Sequence, residues 1–79
     1  MGKQEIENRL KTIVSDYASI SADDITDDMQ LTADMGIDSF GLIQMVGNIE
    51  QEFSIRIPDE VLMSFNSLDD VVNYIEKAI

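Results

Sequence analysis

Residues 34–60, "DMGIDSFGLIQMVGNIEQEFSIRIPDE", combine a helical apolar pattern with clear start and stop signals. If Ser39 is set at 0° and each residue advances by about 100°, one arc holds five large apolar side chains. They are Leu42, Met45, Val46, Ile49 and Phe53. The pattern predicts a helix from Asp38-Ser39 to Phe53 that buries this face. Pro58 cannot lie in a helix interior and favours an extended conformation at Ile57, so the helix must end before it.

The other side of this predicted helix carries apolar residues that point away from the same core. On the same helical projection, the angles from Ser39 are about 100° for Phe40, about 40° for Ile43 and about 80° for Gly47. Two large apolar side chains therefore flank a glycine. Such a patch indicates a partner-binding surface. Gly41 and Gly47 each cost on the order of 1 kcal/mol of helix stability relative to alanine. That cost implies compensation, either by core packing or by a partner that approaches closely.

The flanking segments show the same helical periodicity. A first helix over about Lys3–Ala18 is predicted to bury Ile6, Leu10, Ile13, Val14 and Tyr17. A last helix within residues 66–79 begins with Ser67 and Asp70 at capping-box spacing. It is predicted to bury Leu68, Val71, Val72, Ile75, Ala78 and Ile79. Between the second and last helices, Asp59–Phe65 is expected to form one or two short helical turns.

Residues 19–37 show no sustained period, and their scattered apolar side chains are expected to hold a long loop against the core. The sequence therefore predicts an all-α bundle of three longer helices plus one short helix, with a long loop between the first two. Its 79 residues suffice for one small domain, which we assign to residues 1–79.

The net charge of −11 is unevenly distributed, since residues 19–38 contain six aspartates and no lysine or arginine. This field disfavours nucleic acid and anionic membranes and favours basic protein surfaces, although plain solubility also explains it. The first residues lack the apolar run of a signal peptide, and no stretch is long enough to span a membrane. We therefore expect a soluble, cytoplasmic protein without nucleic-acid partners or membrane insertion.

The composition excludes several kinds of site. The chain has no cysteine or histidine, which excludes disulfides, thiolate zinc sites and triads that use either residue. The run "DDITDD", residues 23–28, lacks the alternating ligands, the glycine and the closing glutamate of a calcium loop. We predict no metal site and no catalytic residue.

Asp38 and Ser39 lie where the second helix is predicted to begin. Asp38 is expected to cap unpaired N–H groups of the first turn, which is worth roughly 1 kcal/mol. Ser39 would keep its hydroxyl in solvent at the positive end of the helix dipole, where a phosphate ester is favoured. As a dipeptide alone, Asp-Ser is most simply a helix cap.

The surrounding motifs are more specific. A Gly-x-Asp-Ser-hydrophobic turn begins at Gly36, a helix ending Glu-x-x-Phe follows, and Ile-x-Ile-Pro-Asp-Glu ends at Glu60. Acidic "ADDIT" precedes them at residues 22–26, and "NSLDDVV" follows at residues 66–72. In these motifs and their order along essentially the whole chain, the sequence resembles the acyl carrier protein family.

The resemblance implies a four-helix bundle of the acyl carrier type with a 4′-phosphopantetheine arm from coenzyme A, joined by a phosphodiester to Ser39. It implies that a separate phosphopantetheinyl transferase attaches the arm, and that acyl groups are carried as thioesters on the thiol of the arm. The implied partners are acyl-transfer, condensing or acyl-activating enzymes of fatty acid, polyketide or lipid biosynthesis with basic docking surfaces. The protein would be a monomeric carrier and not an enzyme. Its methionines at positions 29, 35, 45 and 63 could line a space for the acyl chain or simply fill the core.

The sequence departs from this family on the exposed face of the second helix. Gly41 and Gln44 stand where bacterial fatty-acid carriers typically have acids, and Gly47 stands where a bulky apolar residue is common. We therefore predict a specialised carrier rather than the housekeeping one. Its predicted partner surface comprises Phe40, Gly41, Ile43, Gln44, Gly47, Glu50, Asp59 and Glu60. The alternative is a carrier-like interaction domain that is never modified, in which Ser39 is only a first-turn residue.

Overall fold

Four α-helices form the regular structure of the chain in the computed structural model, which describes residues 1–79. They are α1 (Lys3–Ser15), α2 (Ser39–Phe53), α3 (Asp59–Leu62) and α4 (Leu68–Ala78), with a single 3₁₀ turn at Ala22–Asp24 before α2. No strand forms, apart from one isolated bridge between Gln30 and Ser67. The predicted all-α bundle with three longer helices and one short helix is confirmed.

The core consists of 17 buried apolar side chains and no buried polar residue. Each long helix contributes one stripe, and the stripe of α2 follows the predicted arc closely. Met45, Val46, Ile49 and Phe53 are buried, while Leu42 is partly buried against them. Helix α2 is therefore oriented as the periodicity predicts, with Phe40 and Ile43 facing solvent.

Two helix ends differ from the prediction. Helix α1 ends at Ser15 and not at Ala18, because the N–H groups of Tyr17 and Ala18 both donate to the carbonyl of Val14 and close a tight turn. The apolar pattern continues into this turn, where Tyr17 still packs on the core. In α4, burial stops at Ile75, and the predicted burial of the last two residues, Ala78 and Ile79, is wrong.

The long loop between α1 and α2 is anchored to the start of α4 by backbone hydrogen bonds. The N–H of Leu31 donates to the carbonyl of Asn66 at 2.8 Å, and the N–H of Leu68 donates to the carbonyl of Met29 at 3.1 Å. Four apolar side chains of the loop are buried in the core, namely Ile25, Leu31, Met35 and Ile37. The expectation that scattered apolar residues hold this loop against the core is confirmed.

Several aspartates of the loop stabilise turns through side-chain hydrogen bonds, in addition to contributing negative charge. The Asp24 carboxylate accepts from the Ser21 hydroxyl at 3.1 Å, and the Asp28 carboxylate accepts from the Thr26 hydroxyl at 2.6 Å. The Asp34 carboxylate accepts from the N–H of a residue four positions earlier at 2.7 Å. Short polar side chains stabilise turns in this way, which explains why so many occur in an irregular segment.

None of the helices has the length and apolar character that crossing a membrane would require.

Candidate functional site

Ser39 is the first residue of α2 and is exposed, between the exposed residues Asp38 and Phe40. Asp38 occupies the N-cap with an extended backbone, and its Oδ1 accepts the N–H of Gly41 at 2.7 Å. The Asp38 carbonyl accepts the N–H of Leu42 at 2.9 Å, which begins the helical ladder. The cap thus fixes the direction of α2 and leaves the side chain of the next residue in solvent.

The electrostatics of this turn suit an anion esterified to the Ser39 hydroxyl. The N–H groups of the first helical residues have no intrahelical acceptor and carry the positive end of the helix dipole. The first turn of α2 contains no acidic residue, and the neighbouring Asp38 carboxylate is engaged with the N–H of Gly41. A phosphodiester at Ser39 therefore fits the site sterically and electrostatically.

The chain reaches this turn through a left-handed glycine. Gly36 has φ +72°, a conformation that side chains rarely adopt, and its N–H donates to the carbonyl of Thr32 at 3.1 Å. Ile37 follows, buried, with its N–H donating to the carbonyl of Leu31 at 3.1 Å. One buried residue therefore anchors the chain immediately before the exposed Asp38-Ser39-Phe40 segment.

The two glycines inside α2 have different surroundings. A Cβ at Gly41 would lie 3.2 Å from Oδ1 of Asp38 and 3.4 Å from Cγ2 of Ile37, so a side chain there would require these neighbours to shift slightly. A Cβ at Gly47 would meet nothing within 4 Å. The structure therefore supplies an internal reason for Gly41 and none for Gly47.

A groove of about 490 Å³ lies beside Gly47, between α2 and the segment that includes α3. We call it the α2–α3 groove. Helix α2 lines it with Ile43, Val46, Gly47 and Glu50. The opposite side is lined by Ile57, Asp59, Leu62 and Met63. The groove brings together four residues of the predicted partner surface, Ile43, Gly47, Glu50 and Asp59, whereas Phe40, Gly41, Gln44 and Glu60 do not line it.

Three large apolar side chains are exposed on this side of the protein. Phe40 is 69% exposed, Ile43 is 61% exposed and Met63 is 84% exposed. Sequence reasoning missed Met63 as a surface residue, because it follows a helix too short to give a readable period. The sequence did contain one indication that Met63 is exposed. It lies in a segment predicted to form only one or two helical turns, and so short a helix cannot bury all of its apolar side chains.

Glu50 has a structural contact in addition to its charge. Its Oε2 accepts the N–H of Ile57 at 2.7 Å in a partly buried position. This bond ties α2 to the extended segment before Pro58. Glu50 therefore shapes the α2–α3 groove as well as contributing negative charge to it.

The methionines at positions 29, 35, 45 and 63 do not line a common space. Met35 and Met45 are fully buried in the core, Met29 is partly buried, and only Met63 lines the α2–α3 groove. For Met35 and Met45 the simpler alternative, that they fill the core, is correct.

Two carboxyl groups with shifted pKa values lie away from Ser39. The backbone N–H groups of Ser67 and Asn66 donate to the Asp70 carboxylate and lower its pKa. The Ser67 hydroxyl accepts the N–H of Asp70 in return, and these reciprocal hydrogen bonds form the capping box of α4. Burial raises the pKa of Glu7 on α1, and the nearby charge of Asp27 raises it further. Both groups belong to the fold and not to the Ser39 turn.

Comparisons with known proteins agree on one family. Residues 8–75 match the family model described as "Phosphopantetheine attachment site". Acyl carrier proteins from Akkermansia muciniphila and Thermotoga maritima are 35% and 31% identical over 77 residues, which cover 98% of this chain and 96% and 95% of those proteins. The acyl carrier protein of Kineococcus radiotolerans is 37% identical over 76 residues, covering 96% of this chain and 94% of that protein.

The solved structure of the acyl carrier protein from Enterococcus faecalis has the same fold. It superimposes with a TM-score of 0.84 at 28% sequence identity, and the match covers 100% of both chains.

Proposed function

This chain belongs to the acyl carrier protein family, and from that premise we propose that Ser39 is the attachment point of a 4′-phosphopantetheine arm. The observation that carries the proposal is the exposed Ser39 at the capped N-terminus of α2. When attached, the arm supplies a terminal thiol for acyl thioesters, which the chain itself lacks because it has no cysteine.

The residues around Ser39 have positioning roles in this proposal. Asp38 fixes the start of α2 through its bond to the N–H of Gly41, so the Ser39 hydroxyl is presented on a rigid element. The free N–H groups of the first turn stabilise the phosphodiester charge. Acyl carrier proteins act as carriers and not as catalysts, so chemistry on the thioester is left to partner enzymes.

We further propose the same partner classes that the resemblance implies. They are a phosphopantetheinyl transferase and acyl-transfer, condensing or acyl-activating enzymes with basic docking surfaces. Residues 1–79 would act in the cytoplasm as one monomeric carrier domain. The acidic charge supports fast, salt-sensitive encounters of this kind.

Intact-mass analysis tests the attachment site. The purified chain is incubated with coenzyme A, Mg²⁺ and a phosphopantetheinyl transferase, and we expect a mass gain of one arm. Ser39→Ala should abolish the gain, whereas Ser54→Gly, which removes another exposed serine hydroxyl, should retain it. A wild-type chain that gains no mass would instead support the unmodified interaction domain.

We also propose that the carrier is specialised, because Gln44 stands exposed on α2 where housekeeping carriers typically have an acid. Gln44→Glu should increase use of the loaded carrier by a condensing enzyme of housekeeping fatty acid synthesis, measured as the initial rate of elongation. Gln51→Glu is the matched control, since it adds the same charge at another exposed position of α2. If wild type already matches a standard carrier, the specialisation is refuted. Gly41→Asp is a less specific test, because its Cβ would lie 3.2 Å from Oδ1 of Asp38 and the substitution would alter the helix cap as well as the docking charge.

A further inference from the structure

Gly47 is the residue of α2 that the fold does not explain. It lies in the helix interior, where glycine is less favourable than alanine, yet a Cβ there would meet nothing within 4 Å. Gly41 differs, since its Cβ would crowd the cap. The absent side chain at position 47 therefore leaves open space that no part of the chain uses.

That space belongs to the α2–α3 groove. Ile43, Gly47 and Glu50 have the spacing of one face of a helix, so Gly47 lies between an exposed apolar side chain and a partly buried carboxylate. Across the groove stand Leu62 and the 84% exposed Met63. The volume of about 490 Å³ lies within the roughly 300–1,000 Å³ typical of ligand pockets. The groove is large enough for a bulky side chain.

The charge around the groove indicates what kind of molecule presents that side chain. Glu50 and Asp59 line the groove, Glu60 follows in the sequence, and no lysine or arginine lines it. A second copy of this chain, which also carries a net charge of −11, would bring like charges together. A basic partner would instead place its cations against these carboxylates.

We propose that the α2–α3 groove receives one bulky apolar side chain from a basic partner protein, and that Gly47 provides the space for it. The proposal rests on the proposed carrier function, since it specifies the partners that function requires. Large aromatic side chains in desolvated pockets dominate many protein interfaces. A carrier with a side chain at position 47 would fill the space and select different partners.

Two synthetic peptides test the groove directly. Both are lysine-rich helices of identical sequence, except that one has tryptophan and the other alanine at its centre. The unmodified full chain is titrated with each, and dissociation constants are measured by calorimetry at low and moderate salt. We expect the tryptophan peptide to bind at least roughly tenfold more tightly, with amide NMR shifts around Ile43, Gly47 and Leu62.

Variants of the chain show whether the open space causes this preference. Gly47→Met should reduce the ratio of the two dissociation constants to about one, because its side chain occupies the groove. Gly47→Ala gains helix stability without filling the groove, and it should retain most of the preference for the tryptophan peptide. Gln51→Met adds the same side chain at an exposed position of α2 outside the groove and should retain all of it.

Equal binding of the two peptides by wild type would overturn the proposal, as would an unchanged ratio in Gly47→Met. A concentration-dependent dimer that Gly47→Met abolishes would also overturn it, because the occupant would then be a second copy. None of these measurements requires a modified Ser39. Failure here therefore leaves the carrier function standing, whereas loss of the mass gain at Ser39 would not alter the peptide result.

Discussion

At the scale of single residues, the start of α2 combines a cap with the proposed attachment point. Asp38 accepts the N–H of Gly41 at 2.7 Å, and the absence of a Cβ at Gly41 leaves the carboxylate uncrowded. Ser39 stands between them in sequence and is exposed. The cap and the proposed attachment point thus occupy neighbouring residues without competing for the same atoms.

The two glycines of α2 should respond differently to alanine. Gly47→Ala should raise the free energy of unfolding by about 1 kcal/mol, because it gains helix propensity in open space. For a domain of this size, that gain corresponds to a rise in Tm of roughly 4–8 °C. Gly41→Ala should gain less or lose stability, because its Cβ would lie 3.2 Å from Oδ1 of Asp38. Thermal unfolding of both variants checks this, and equal gains would contradict the distinction between the glycines.

The sequence alone could not separate these glycines. It predicted the arc of α2, the exposure of Phe40 and Ile43 and the position of Ser39, because these follow from helical periodicity. The contact between the cap and Gly41, however, depends on a distance that periodicity does not contain. The hydrogen bond from the Ile57 N–H to Glu50 joins two segments on either side of a chain reversal, so periodicity could not predict it either.

At the scale of elements, contacts between helices and the long loop determine the architecture. Helix α1 packs on α4 and α2, and Arg9 of α1 pairs with Glu5 at 2.9 Å and with Glu52 of α2 at 3.3 Å. These pairs are exposed and contribute little stability. The buried apolar stripes and the backbone bonds that join the loop to α4 are therefore the main determinants of the fold.

One contact between α1 and the loop is unfavourable at neutral pH. Burial and the charge of Asp27 raise the pKa of Glu7, while Lys11 and Lys3 partly oppose the shift. Nζ of Lys11 lies 3.9 Å from Oδ1 of Asp27, which accepts no hydrogen bond. Because the folded-state pKa of Glu7 is raised, its contribution to stability is present below the ordinary glutamate pKa and is lost as the pH rises through the folded value.

Glu7→Gln should therefore stabilise the protein at pH 7 and have less effect at acidic pH near 4, because the raised pKa of Glu7 favours the protonated carboxyl as the pH falls. Urea unfolding at the two pH values measures this difference. Glu76→Gln on the exposed face of α4 is the control for a general reduction in negative charge. Equal stabilisation by Glu7→Gln and Glu76→Gln at pH 7 would show that the contact with Asp27 has no specific effect.

At the scale of the whole molecule, the charge of −11 acts on both stability and association. Like charges repel across a body of only 28 × 25 × 19 Å, which is comparable in size to a few Debye lengths at physiological salt. Raising NaCl from low to moderate concentration at constant pH should therefore raise Tm. A Tm that is independent of salt would show that charge crowding does not destabilise this fold.

The same charge relates the fold to the proposed carrier role. In that proposed role, the acidic surface would attract basic partner enzymes, the α2–α3 groove would discriminate among them, and Ser39 at the start of α2 would present the arm. Association and chemistry thus depend on different parts of one small bundle. The attachment of the arm at Ser39 is the step on which the proposed carrier role depends.

Fragmentation mass spectrometry of the chain after incubation with coenzyme A, Mg²⁺ and a phosphopantetheinyl transferase tests that step most directly. The proposed carrier role predicts one phosphopantetheine arm per chain, located on Ser39 and able to accept an acyl group as a thioester. An unmodified chain, or an arm located on any other residue, would contradict it.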